Sequence, residues 1–150
     1  MRNILILVII SVITITSIVF VKFAEYSKMK TEVNQINKEY LAYQNSNIQI
    51  NTIVSLMNKA IEQNKKNNIS QNEDKTFNEN DTNSIKLYIE TKSSDGKQMV
   101  KIPMENLILN DKIGVEKVEY AFSDLLFETK DVEYHKKTGQ VKQVVFTEKN

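Results

Sequence analysis

Residues 4–21 read ILILVIISVITITSIVFV, a run with no charge, no Gly and no Pro, and this run divides the chain into an anchor and a polar remainder. At about 1.5 Å per residue an 18-residue helix spans roughly 27 Å, close to the ~30 Å hydrocarbon core of a bilayer. Phe23 extends the run past Lys22, whose aliphatic stem lets its ammonium reach the headgroups. β-Branched residues are frequent, yet lipid enforces a helix, because every backbone polar group must find its partner inside the segment. A cleaved signal peptide is the competing reading. No small-x-small site comes after the run in Val21-Lys22-Phe23-Ala24-Glu25, and no Cys exists for lipid attachment. The expectation is an uncleaved single-pass anchor over residues 1–23, with residues 4–21 in the lipid bilayer. Ser11, Thr14 and Ser17 recur at spacing three. They are expected to bond back to their own helix carbonyls rather than line a helix–helix contact.

Orientation rests on opposed signals. Arg2 precedes the span and Lys22, Lys28, Lys30 and Lys38 come after it, a count that places the C-terminal part in the cytoplasm. A three-residue head leading directly into an apolar run is the pattern of a signal anchor, which exports the C-terminal part. The absence of Cys fits an extracytoplasmic domain. The expected location is the cell membrane, with the C-terminal domain outside.

Beyond the span, Tyr26, Met29, Val33, Ile36, Tyr40 and Tyr43 are separated by gaps of 3, 4, 3, 4 and 3. This is a heptad a/d seam and a candidate homodimer surface. The frame continues through Asn47, Ile50, Val54, Met57 and Ile61. The turn-prone tetrapeptide Gln44-Asn45-Ser46-Asn47 interrupts it. Two helices are therefore expected within residues 24–66, at about 25–44 and 51–65. The apolar face of the second is wider than a coiled-coil stripe, as packing on a domain requires. Residues 67–83 hold only two large apolar side chains, Ile69 and Phe77, and read as a linker or long loop.

Residues 84–150 carry the sheet signals. Ile85, Leu87 and Ile89 alternate with Lys86, Tyr88 and Glu90, a strand with one buried face. Ser93-Ser94-Asp95-Gly96 turns the chain, 98–102 returns, and Pro103 ends the return. Residues 105–110 suit a short helix or strand. Gly114 opens an amphipathic helix with Val115, Val118, Phe122 and Leu125 on one side. Strands at 129–134 and 141–146 flank a turn at Lys136-Lys137-Thr138-Gly139. The expected class is α+β: a transmembrane helix, a helical stalk, then a small antiparallel sheet of about four strands with helices on one face.

Composition excludes much chemistry. The 150 residues hold 20 basic and 19 acidic side chains, a net charge of +1, no Cys and one His. No disulfide, thiolate metal site or cysteine nucleophile is available, and no positive field points to nucleic acid. Asn occurs 17 times and Lys outnumbers Arg 19 to 1, the bias of an AT-rich bacterial genome. Asn-rich stretches are discounted on that ground. No phosphate loop, zinc spacing or nucleophile elbow occurs. Asp131, Glu133 and His135 alternate along a strand, so all three would share one face and offer a weak divalent-metal set. The same alternation puts Val132 and Tyr134 on the core side, and a plain solvated face is the expectation. Lys136, Lys137 and Lys142 cluster at one hairpin and suit an anionic lipid or polymer, or simply a solvated turn. No catalytic residue, cofactor or metal is expected, and the chain does not read as an enzyme.

The stretches KEYLAYQN (38–45), TIVSLMNKAIEQN (52–64), NDTNSIKLYIE (80–90) and EYHKKTGQVKQVVFTE (133–148), behind the N-terminal span, carry a resemblance. The chain resembles a loose group of uncharacterised small single-pass membrane proteins of clostridia and related Firmicutes. The resemblance implies location and no site residue. Type IV pilins also set an apolar helix before an α+β head, but the Gly-hydrophobic processing junction and the Glu within the run are missing here. Division proteins with one span and an adjoining coiled coil are similar in layout. The expected function is an extracytoplasmic binding or scaffolding protein of a bacterial cell envelope that meets another envelope protein. The alternative is a pilin-like, division or secretion-apparatus subunit.

Overall fold

The computed structural model describes residues 2–93, 96–110 and 113–149. Its elements are α1 (Arg2–Leu41), β1 (Ile48–Gln49), α2 (Ile50–Lys66), β2 (Lys86–Lys92), β3 (Met99–Pro103), α3 (Met104–Ile108), α4 (Gly114–Ala121), β4 (Leu126–Tyr134) and β5 (Val141–Glu148). The chain forms two compact units, Met1–Gln35 and Ile36–Asn150.

The first unit is helix throughout its described residues. Its described large apolar side chains between Ile4 and Phe23 stand open, from 48% exposed at Ile6 to 73% at Phe20. The hydroxyls of Ser11, Thr14 and Ser17 donate to carbonyls three or four residues back, at 2.8–3.0 Å. Each therefore satisfies itself within the helix. This is a helix long and apolar enough to enter a bilayer, consistent with a membrane anchor or a signal sequence.

In the second unit α1 ends just ahead of the turn-prone tetrapeptide, where Asn45 takes the left-handed conformation at φ 63°. Asn tolerates that region because its short side chain bonds locally. Ile36, Tyr40 and Tyr43, half of the expected dimer seam, pack into the core of this unit, with Tyr40 only 2% exposed. Half of the six-residue seam is thus taken up within the chain, while Tyr26 and Met29 stay exposed. The 3-4 spacing serves intramolecular packing equally well, since an apolar stripe does not specify what covers it.

α2 lays Ile50, Ile53, Val54, Met57, Ala60 and Ile61 into the same core. These fall at the spacing of one helical face. Leu87 and Ile89 of β2 meet them together with Val144 and Phe146 of β5, Phe127 of β4, Met104 of α3 and Val118 of α4. α2, α3 and α4 thereby share one core with the sheet.

The sheet differs from the expected four antiparallel strands. It has five, in the order β1-β4-β5-β2-β3. β2–β3, β4–β5 and β1–β4 are antiparallel, but β2 and β5 run parallel, with Leu87 opposite Val144 and Ile89 opposite Phe146. The cause is burial. β5 carries Val141, Val144, Val145 and Phe146, all 3% exposed or less, and a central place between β4 and β2 covers it on both edges. Local hairpin signals do not encode a pairing between strands so far apart in the chain. β1, two residues long, is too short to carry an alternation. The turn expected at residues 93–96 includes Ser94 and Asp95, which lie outside the described residues.

The 67–85 segment is an ordered loop held on the domain. Phe77 is 2% exposed in the core, and Ile69 packs against that core. The Asn80 Oδ1 accepts the backbone N–H groups of Thr82, Asn83 and Ser84 at 2.9–3.0 Å. Two further asparagines clamp strand ends. Asn64, fully buried, donates to the Ile85 carbonyl at 2.9 Å and accepts the Ile85 N–H at 2.8 Å. Asn37 donates to the Gly139 carbonyl at 2.8 Å and accepts the Val141 N–H at 2.7 Å.

At the far end of β5 the Thr91 hydroxyl (2.6 Å) and the Lys92 N–H (3.1 Å) both donate to Glu148 Oε2. The Thr91 hydroxyl first, and the Lys92 N–H second, hold the Glu148 carboxyl below its ordinary range. Such a depressed group contributes stability above the ordinary carboxylate pKa, and this is lost as pH falls through the folded value. Thr91→Val should move the Glu148 titration, tracked by carboxyl NMR, upward toward the ordinary value; an unmoved titration contradicts the assignment. Asn64→Ala orphans a buried N–H and a buried carbonyl together. It should cost about 3 kcal/mol in denaturant unfolding, against under ~0.5 kcal/mol for exposed Asn58→Ala.

Candidate functional site

The three residues expected as a weak metal set do not share a face. β4 breaks register with β5 between Thr129 and Asp131 and again between Glu133 and Tyr134. The first lies ahead of Asp131 and leaves Asp131 and Glu133 on one face; at the second the unpaired residue is Lys142 of β5, and His135 lies just past the end of β4, where a strict period-two count no longer applies. Asp131 and Glu133 face solvent. His135 turns inward and is 2% exposed, and its Nε2–H donates to the Ser84 carbonyl at 2.7 Å. Tyr134, expected in the core, is 44% exposed, while Val132 is half-buried. Among the described residues no group of three or more His, Cys, Asp or Glu side chains could hold a metal ion.

His135 instead closes the turn. Its N–H donates to the Gln140 carbonyl and its carbonyl accepts the Gly139 N–H, both at 2.8 Å. The Thr138 hydroxyl donates to the Thr82 carbonyl at 2.6 Å, and Gln140 Nε2 to the Asn83 carbonyl at 3.1 Å. The β4–β5 hairpin is therefore tied to the end of the 67–85 loop by polar side chains. Sequence reading missed the ties to the loop because each pairs residues more than 50 positions apart.

Between the hairpin and that loop lies an open cleft of about 380 Å³, lined in part by Asp81, Glu133, Tyr134, Lys136, Lys137 and Lys142. Its charges are largely balanced. Lys137 meets Asp81 at 3.3 Å and Lys142 meets Glu79 at 3.2 Å. A second depression of about 350 Å³ borders Gln44, Asn45, Lys130, Asp131 and the same Tyr134. There Lys130 pairs with Glu90 at 2.6 Å. Tyr134 thus offers a half-open aromatic ring between two polar, wet depressions. Such a ring buries apolar area on a partner while its hydroxyl keeps a hydrogen bond, which suits docking of a polar polymer or protein segment.

The chain matches no protein-family model, no curated protein and no solved structure.

The separation of the three residues has a measurable consequence. The double variant Asp131→Ala/Glu133→Ala should change unfolding free energy by less than ~0.5 kcal/mol, whereas His135→Ala should cost about 2 kcal/mol by orphaning the Ser84 carbonyl and opening a gap. Equal losses in the two variants would return the three residues to one shared role.

Proposed function

We propose that this chain is a membrane-anchored binding or scaffolding protein of a bacterial cell envelope. In this reading it crosses the bilayer once through residues 4–21 and carries its α+β domain on the extracytoplasmic side. The observation that carries the reading is the row of apolar side chains from Ile4 to Phe23, about half exposed or more wherever described. Water does not tolerate so long an apolar surface, and lipid covers it without loss of any backbone hydrogen bond. The lack of Cys fits the extracytoplasmic side. The paired hydroxyls of Ser11, Thr14 and Ser17 support a lipid-facing helix that needs no partner for its polar atoms. A binding role is supported by the depressions around Tyr134, which offer contact surface. The partner in this reading is another envelope component, not a nucleic acid.

The absence of Cys makes the test clean. Tyr120 is 85% exposed. A Tyr120→Cys variant in intact cells should react with a membrane-impermeant thiol reagent and stay in the membrane pellet after alkaline carbonate extraction. Protection until lysis would move the domain to the cytoplasm. A mature N-terminus beyond residue 23 would replace the anchor by a signal sequence.

A further inference from the structure

Glu105, in the first turn of α3, is 1% exposed. Its Oε2 accepts from Lys86 Nζ at 2.7 Å and from the Phe77 N–H at 3.2 Å. Lys86 Nζ also donates to the Phe77 carbonyl. The other oxygen, Oε1, is buried and has no hydrogen-bond partner among the described residues. A carboxylate can accept about four hydrogen bonds, and a buried oxygen left with none is costly. The surroundings suggest what relieves it. Glu105 forms a wall of a pocket of about 170 Å³ together with Asp74, Thr76, Asn106 and Asn110. All five side chains carry oxygen. Asp74 Oδ1 accepts from the Thr76 hydroxyl (2.6 Å) and N–H (3.1 Å), which orients this carboxylate at the pocket wall.

We propose that this pocket, between the 67–85 loop and α3, is a site for a hard divalent cation, calcium in particular. The lining side chains carry two carboxylates, two amides and a hydroxyl, with no imidazole or thiolate. Oxygen-only sets select calcium or magnesium over the later transition metals. The donors come from a loop and a short helix, and no single element arranges them as a regular octahedron. Calcium accepts such irregular sets of protein oxygens, whereas magnesium demands octahedral geometry and keeps its waters. Lys86 offsets one of the two negative charges, so binding is weak, in the range of about 10⁻⁴–10⁻³ M that serves extracellular modules. The ion would join the exposed Asp74 to the buried Glu105 and so fasten the loop that delivers Phe77 to the core. This inference stands on the loop–α3 corner alone and does not depend on which side of the membrane the domain occupies.

The test is calorimetric titration of calcium chloride into the full chain in nanodiscs of zwitterionic lipid, which avoids ion binding by anionic headgroups. One saturable site is expected below about 10 mM, with magnesium weaker. Glu105→Gln leaves Lys86 without its partner and risks misfolding, so the deciding variants are at the exposed Asp74 and Asn106. Asp74→Asn should weaken calcium binding about tenfold or more with the far-ultraviolet circular dichroism unchanged, and Asn106→Ala should weaken it less. No saturable binding would overturn the proposal and leave Glu105 Oε1 to water. Binding undiminished in both variants would overturn it equally, by placing the ion elsewhere.

Discussion

A backbone group buried at the end of a strand must find a partner, and in this domain side-chain amides supply it. Asn64 on α2 meets both the N–H and the carbonyl of Ile85, where the long loop enters β2. Asn37 near the end of α1 does the same for Gly139 and Val141, where the hairpin enters β5. β2 and β5 are the parallel pair within the sheet. Parallel strands have no shared turn to set their register, so something else must fix where each begins. The two amides fix both starts to helices whose apolar residues already pack in the core. Neutral amides do this without the desolvation cost that a carboxylate or ammonium would bring.

The same device extends to the loop. Asn80 gathers three successive N–H groups, and Asn67 donates to the Asn83 carbonyl at 2.9 Å. A segment with two large apolar residues cannot bury enough surface to order itself by hydrophobic contact alone. Phe77 in the core and a dense set of short-range side-chain bonds order it instead. His135 and Gln140 then tie the hairpin to the end of that loop, so loop, hairpin and central strands form one connected polar seam beside the apolar core.

Several elements are legible in the sequence. The helix pair broken at residues 44–47, the strand at Leu87–Ile89 and the turn at 136–139 each carry a local signature of spacing or turn chemistry. The asparagines are the opposite case. Genomic bias explains why Asn is common, but it says nothing of what a given Asn does once buried, and discounting Asn on that ground set aside the residues that organise the strand ends. The candidate face at Asp131, Glu133 and His135 failed for a related reason. Alternation holds only while the ladder is regular; the register of β4 with β5 slips between Glu133 and Tyr134, and His135, just past the end of β4, turns inward while Tyr134 is half open.

The sequence alone determined the apolar N-terminal helix, the α+β class, and the absence of thiol chemistry, since these come from run length, periodicity and composition. Tertiary structure decided the rest. It chose the parallel pairing of β2 with β5, the use of Ile36, Tyr40 and Tyr43 within the chain's own core, the burial of His135, and the meeting of Glu105 with Asp74. Each of these joins residues far apart in the chain, and their partnership is set by competition for burial and hydrogen-bond partners across the whole domain. No local pattern encodes that competition.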